Sequence, residues 1–197
     1  MYAQKENNIY VYLFISGTAE LRVGNNPVQI IQQNNYPWDG ALTFTINPKT
    51  TAAFNILIRI PGWARNEAIP STLYQFENGH DKKISVKVNG VDAKQTMQNG
   101  YGAINRKWKK GDVITVDLPM EVKKVFCTTN VKENIGKVAL QRGPVMYCAE
   151  WVDNNGSTSD ISIHVGSKFK SEYSNLLGGV VVLKTEADKI QMINSST

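Results

Sequence analysis

Trp38 and Trp63 are the residues of this sequence whose type and setting come nearest to a ligand-binding chemistry. Each stands beside a proline/glycine turn, in Tyr36-Pro37-Trp38-Asp39-Gly40 and in Ile60-Pro61-Gly62-Trp63. An indole at a turn can stack on the apolar C–H face of a pyranose or furanose, whereas most tryptophans, Trp108 and Trp151 included, serve core or interface packing. The other reactive side chains form no constellation. Cleavage of a glycosidic bond needs two carboxylates facing one sugar. Of the 17 acidic residues, Asp39, Asp81, Asp112 and Asp153 fall in turns, and Glu20 and Asp117 on strand faces. Ser-His-Asp catalysis needs a nucleophile on a supported turn with a histidine in reach. The sequence has no Gly-x-Ser-x-Gly elbow, and His80 and His164 are isolated, reading as surface or strand residues. Cys127 and Cys148 stand in apolar strands and read as buried free thiols, with a disulfide open if their strands face each other. Neither belongs to a CxxC or Cys/His cluster, which argues against a zinc site of their own. Leu176-Leu177-Gly178-Gly179-Val180 lacks the lysine of a phosphate loop and reads as a turn into a buried strand. These residues assign no catalytic group, metal ligand or cofactor to the chain.

What positions them is a succession of strands. Ile9 to Ile15 is apolar on both faces, as in a strand covered on both sides. Thr18–Val23 and Val28–Gln33 flank the turn Gly24-Asn25-Asn26-Pro27. Leu42, Phe44 and Ile46 alternate with threonines, and Phe54, Ile56, Ile58 and Ile60 repeat the period, so these two strands should pair or pack closely. Pro61-Gly62 ends the second abruptly. Pro70-Ser71 predicts a short helix over Thr72–Phe76 closed by Asn78-Gly79. Asn89-Gly90 and Asn99-Gly100 are hairpin signals. Lys109-Lys110-Gly111-Asp112 turns the strand Tyr101–Trp108 into Val113–Leu118. Further strands are expected at Val122–Cys127, Lys137–Leu140, Val145–Trp151, Ile161–Val165, Gly179–Lys184 and Lys189–Ile193. The fold class is therefore all-β, with two β-sandwich (jelly-roll-like) domains of antiparallel strands, residues 1–125 and 126–197.

The bulk composition narrows the classes. A chain of 197 residues can bury a substantial core without staples. Its 42% hydrophobic and 20% charged residues suit a globular protein. The formal charge of +5 is a mild excess that solvated surface accounts for. Arg106-Lys107-Trp108-Lys109-Lys110 spans a strand end and a turn, where lysines protect sheet edges, so nucleic acid is not an expected partner. No run reaches the length of a membrane span, and the first residues carry no signal-peptide core.

Six stretches then resemble a known family in their order: Tyr10-Val11-Tyr12-Leu13-Phe14-Ile15-Ser16-Gly17, Tyr36-Pro37-Trp38-Asp39-Gly40, Ile58-Arg59-Ile60-Pro61-Gly62-Trp63, Val86-Lys87-Val88-Asn89-Gly90, Trp108-Lys109-Lys110-Gly111-Asp112 and Gly136-Lys137-Val138-Ala139-Leu140-Gln141-Arg142-Gly143-Pro144-Val145-Met146-Tyr147. They are similar to the C-terminal part of glycoside hydrolase family 127, the β-L-arabinofuranosidase-like enzymes. The resemblance implies a parent enzyme with an (α/α)6 barrel followed by two β-sandwiches. The catalytic glutamate and the cysteines that hold zinc belong to that barrel and match no position here, so Cys127 and Cys148 are not zinc ligands. On this reading Met1 is an internal methionine, and the chain is a non-catalytic fragment whose partner is the absent barrel. Its role is structural; the alternative is a carbohydrate-binding module using Trp38 or Trp63 on arabinose-containing plant glycans, and a third reading is an adhesion-type sandwich. The family's second sandwich usually continues past the position of Asp188, so an unpaired edge and self-association are also expected. Export to the periplasm or the cell exterior is implied by the family alone.

Overall fold

The fold was analysed in a computed structural model, which describes residues 1–190. The chain opens with a hairpin of β1 (Tyr2–Lys5) and β2 (Asn8–Val11), then a meander of β3 (Gly17–Val23), β4 (Asn26–Asn34) and β5 (Ala41–Pro48). After β6 (Ala52–Arg59) comes a 3-10 turn at Gly62–Arg65, and then β7 (Tyr74–Phe76). Next are β8 (Ser85–Val88), β9 (Val91–Asp92), β10 (Thr96–Gln98), β11 (Tyr101–Trp108) and β12 (Asp112–Asp117). The C-terminal part holds β13 (Val122–Cys127), β14 (Ala139–Arg142), β15 (Val145–Tyr147), β16 (Ile161–Ser162), β17 (Lys170–Ser174), β18 (Val180–Lys184) and β19 (Asp188–Lys189). No helix among the described residues is long and apolar enough to cross a membrane.

Two sheets make the N-terminal sandwich. One is five-stranded in the order β1-β2-β6-β11-β10, the other six-stranded in the order β3-β4-β5-β12-β8-β9. Their facing residues form one core that includes Ile9, Ile30, Phe44, Ile56, Trp108 and Ile114. Trp108 is fully buried, and its indole N–H donates to the Phe54 carbonyl at 3.0 Å, so the polar end of the ring is satisfied inside the core. The two Asn-Gly turns close their hairpins with both residues at positive φ (Asn89 52°, Gly90 80°; Asn99 49°, Gly100 82°). That is the twist-matched geometry asparagine and glycine tolerate best.

Three local expectations change, and a fourth is decided between its alternatives. The strand from Ile9 ends at Val11: Phe14 stays in the core, but Tyr12, Leu13 and Ile15 are exposed. Thr72–Phe76 is not a helix, because Tyr74–Phe76 joins β13 through Val125↔Phe76 and Cys127↔Tyr74. A helix of five residues has a costly nucleus and loses to a ladder offered by a neighbouring sheet. Of the two arrangements expected for β5 and β6, pairing or close packing, the structure takes the second, since they face each other across the core from opposite sheets. The pairing of β2 with β6 is parallel, an exception in an otherwise antiparallel architecture.

The third sheet, β15-β14-β13-β7, therefore draws one strand from well before β13. Two ribbons, β16 with β19 and β17 with β18, complete the C-terminal part. Of the strand expected at Lys189–Ile193, Lys189 lies in β19 and residues 191–193 lie outside the described residues.

Candidate functional site

Three motifs that are far apart in sequence meet in space. The Arg142 guanidinium of Gln141-Arg142-Gly143-Pro144 donates to the Trp38 carbonyl at 2.9 Å. Trp63 occupies the 3-10 turn after β6 and is 8% exposed, part of the core. Burial raises the Tyr36 pKa, and the neighbouring Trp63 and the Arg59 charge offset part of that rise. Gly143 has φ 59°, and a Cβ there would stand 2.6 Å from the Met120 sulfur and 3.8 Å from the Trp63 ring. Glycine is required at that turn both by conformation and by this close approach.

The two candidate tryptophans therefore part company. Trp63 packs the junction and has no free face of useful size for a sugar. Trp38 is half-buried, with its carbonyl held by Arg142. The exposed indole of the chain is Trp151, at 68%, in a 3-10 turn that reads from sequence as the end of a strand.

The sequence reading missed His80 as well. Its side chain is 4% exposed, not a surface group. Nδ1 lies 2.7 Å from Glu121 Oε2 and Nε2 lies 2.8 Å from the Trp63 carbonyl. Each ring nitrogen thus faces an oxygen, one of a carboxylate and one of the backbone. Glu121 also accepts the Lys82 amide at 2.9 Å and lies 3.1 Å from the Lys123 ammonium. Burial alone would raise the Glu121 pKa, but the Lys82 N–H, His80 and Lys123 together bring it down to about 2. Glu121 sits immediately before β13, so this cluster ties the sandwich to the third sheet. From sequence His80 has no neighbours, because its partners lie at Trp63 and Glu121.

Other polar groups are similarly committed. The buried Asp112 carboxylate accepts the Asn89 side-chain amide at 2.8 Å and the Lys109 backbone N–H at 2.8 Å, locking two turns together. Burial opposes its ionisation, but these bonds and Arg106 keep its pKa below the usual carboxylate range. The Lys124 ammonium, at the edge of a hollow of about 180 Å³, donates to the His164 carbonyl at 3.2 Å and to that of Val165. Both cysteines are free thiols, but neither is buried as expected: Cys127 is half-buried and Cys148 exposed. Among the described residues no three His, Cys, Asp or Glu side chains gather to hold a metal ion.

The described fold is thus a β-sandwich bearing a third sheet and two short ribbons. Residues 8–120 match the model of the Beta-L-arabinofuranosidase, GH127 middle domain, and residues 122–193 that of the Glycoside hydrolase family 127 C-terminal domain. The chain belongs to glycoside hydrolase family 127. It is 32% identical over 178 residues to the non-reducing end beta-L-arabinofuranosidase of Bifidobacterium longum subsp. longum, covering 85% of this chain and 24% of that protein. A solved GH127 beta-arabinofuranosidase superposes with TM-score 0.91 at 34% identity, over 98% of this chain and 31% of that one. A GH127 beta-L-arabinofuranosidase from Geobacillus stearothermophilus gives TM-score 0.84 at 30% identity, over 96% and 28%. The chain thus spans about a quarter to a third of the length of these relatives.

Proposed function

We propose that this chain is the non-catalytic β region of a β-L-arabinofuranosidase-type enzyme, a scaffold against which a separate catalytic domain packs. The observation that carries this reading is the pattern of the match: middle and C-terminal models fill the chain, and most of each relative lies outside the matched part. The side chains support it. Glu121, His80 and Asp112, the polar groups with the most chemistry, spend their donors and acceptors on backbone and neighbours. On this reading the second β unit, made of the third sheet and the ribbons, begins with β13 at Val122, a little before the expected division near residue 125, and leans on the first, from which it takes β7.

The test is incubation of the purified chain with an aryl β-L-arabinofuranoside. No turnover above buffer is expected. Turnover abolished by replacing a carboxylate of this chain would overturn the reading. The partial exposure of Trp38 favours a second reading, a carbohydrate-binding role. Calorimetry against arabinose-containing glycans separates the two, since saturable heat lost in Trp38→Ala belongs to the second alone.

A further inference from the structure

The five-stranded sheet has an unusual outer face. Directly paired residues share a face of a sheet, and the register places Tyr10 opposite Leu57 and Leu57 opposite Ala103 on that side. One step along, Arg59 stands opposite Tyr101 and Tyr101 opposite Gln98. Tyr10, Tyr12 and Tyr101 pack on one another: Tyr10 and Tyr12 lie near-parallel with centroids 6.3 Å apart, and Tyr101 meets them edge-on at 5.5 and 5.8 Å. Leu57, which belongs to this face and not to the core cluster, is only 3% exposed. The face thus has a small apolar layer of its own, beyond the sandwich core. Tyr12, 39% exposed, and Leu13, 48% exposed, extend it at the rim. The six-stranded sheet shows the ordinary alternative on its outer side, with Glu20, Gln33, Thr43 and Thr115 facing water.

Two observations say what covers the tyrosine face. The Tyr12 amide donates to the Met1 carbonyl at 2.9 Å, which places Met1 beside the rings. In the relatives, the matched part carries the middle and C-terminal models, and the bulk of the protein therefore precedes it. Tyrosines with one arginine are also the side chains that dominate protein–protein contacts, combining apolar area with a polar tip. Building on the scaffold role, we propose that the Tyr10–Tyr12–Leu57–Arg59–Tyr101 face is the docking surface for the N-terminal domain of a family 127 enzyme.

The experiment co-expresses this chain, tagged, with the N-terminal part of the Bifidobacterium longum relative that precedes its matched region, and measures the recovered complex and its dissociation constant. Gln98→Arg, at the exposed rim, and a Tyr12→Ser/Tyr101→Ser double variant should each weaken binding at least tenfold. Thr115→Arg on the opposite face should leave it unchanged. Circular dichroism and thermal unfolding of the free chain check folding, and Gln98→Arg, which removes no packed ring, carries the test if the double variant is destabilised. Undiminished binding by Gln98→Arg and a folded double variant would overturn the assignment of this face while leaving the scaffold role standing. No complex with the wild-type chain would overturn both. A wild-type dimer in sedimentation that Gln98→Arg dissociates would make a second copy the occupant and overturn the proposal.

Discussion

The N-terminal sandwich and the C-terminal strands are held by different physics. Among the described residues, the deeply buried apolar side chains run from Ile9 to Leu118, and beyond Met120 only Val125 joins them. The C-terminal part instead exposes Trp151 at 68%, Val165 at 86% and Leu177 at 89%. Its anchors are polar: Glu121 with His80, Arg142 with the Trp38 carbonyl, Lys124 with Glu77 and the His164 carbonyl. A stretch with little core of its own cannot offset its conformational entropy alone. The contrast teaches that the C-terminal strands borrow their stability from the sandwich through a few junction residues, of which the sequence motifs mark Trp38, Trp63 and Arg142 but not His80, Glu121 or Lys124.

Core substitutions should break this comparison most severely. Trp108→Ala removes a fully buried ring and the bond to Phe54, and should cost about 3–5 kcal/mol in urea-induced unfolding. A loss under about 1 kcal/mol would mean that the sandwich core does not dominate stability.

The junction comes next. His80→Ala strips Glu121 and the Trp63 carbonyl of a buried donor and should cost about 1–3 kcal/mol. Glu121→Gln sharpens the point through pH. The Glu121 carboxylate is held at about 2 in the fold against an ordinary value of 4.5. A depressed carboxylate contributes fully above its unfolded pKa and loses that contribution as pH falls through the folded one. Wild type should therefore be the more stable of the two at neutral pH, with the gap closing between about pH 4.5 and pH 2 in thermal melts. A gap independent of pH would show that the carboxylate's charge is irrelevant.

Gly143→Ala puts a side chain at φ 59° and against Met120, and should cost about 1–3 kcal/mol. Reversal of part of that loss by Met120→Ala in the double variant would locate the steric share.

The smallest effect belongs to the ribbons. Tyr173→Ala in β17, 64% exposed, should shift global unfolding by less than about 0.5 kcal/mol. Native-state hydrogen exchange should still find β17 and β18 amides opening well before those of β5, β6, β11 and β12. Equal protection in both regions would erase the distinction drawn between them.

Much of the fold was legible before any coordinates. The alternation of Leu42, Phe44 and Ile46, and of Phe54, Ile56 and Ile58, reports a buried and a wet face, since side chains in a strand project with period two. Asn89-Gly90 and Asn99-Gly100 announce their hairpins because the turn geometry selects those residues locally. The ordered motifs carried the family as well. The candidate site was legible only in fragments. Trp63 beside its turn gave no sign of burial, His80 gave no sign of Glu121, and Arg142 no sign of Trp38, because each partner is remote in the chain.

Strand periodicity, turn chemistry and family membership thus follow from the order of residues, since each is a local property of the chain or a pattern along it. The tertiary structure alone decided that β5 and β6 sit in opposite sheets, that Tyr74–Phe76 is a strand, and that Tyr10, Tyr12 and Tyr101 share one surface. Those outcomes depend on which backbone donors and apolar faces find partners across long separations, and no local rule encodes a partner.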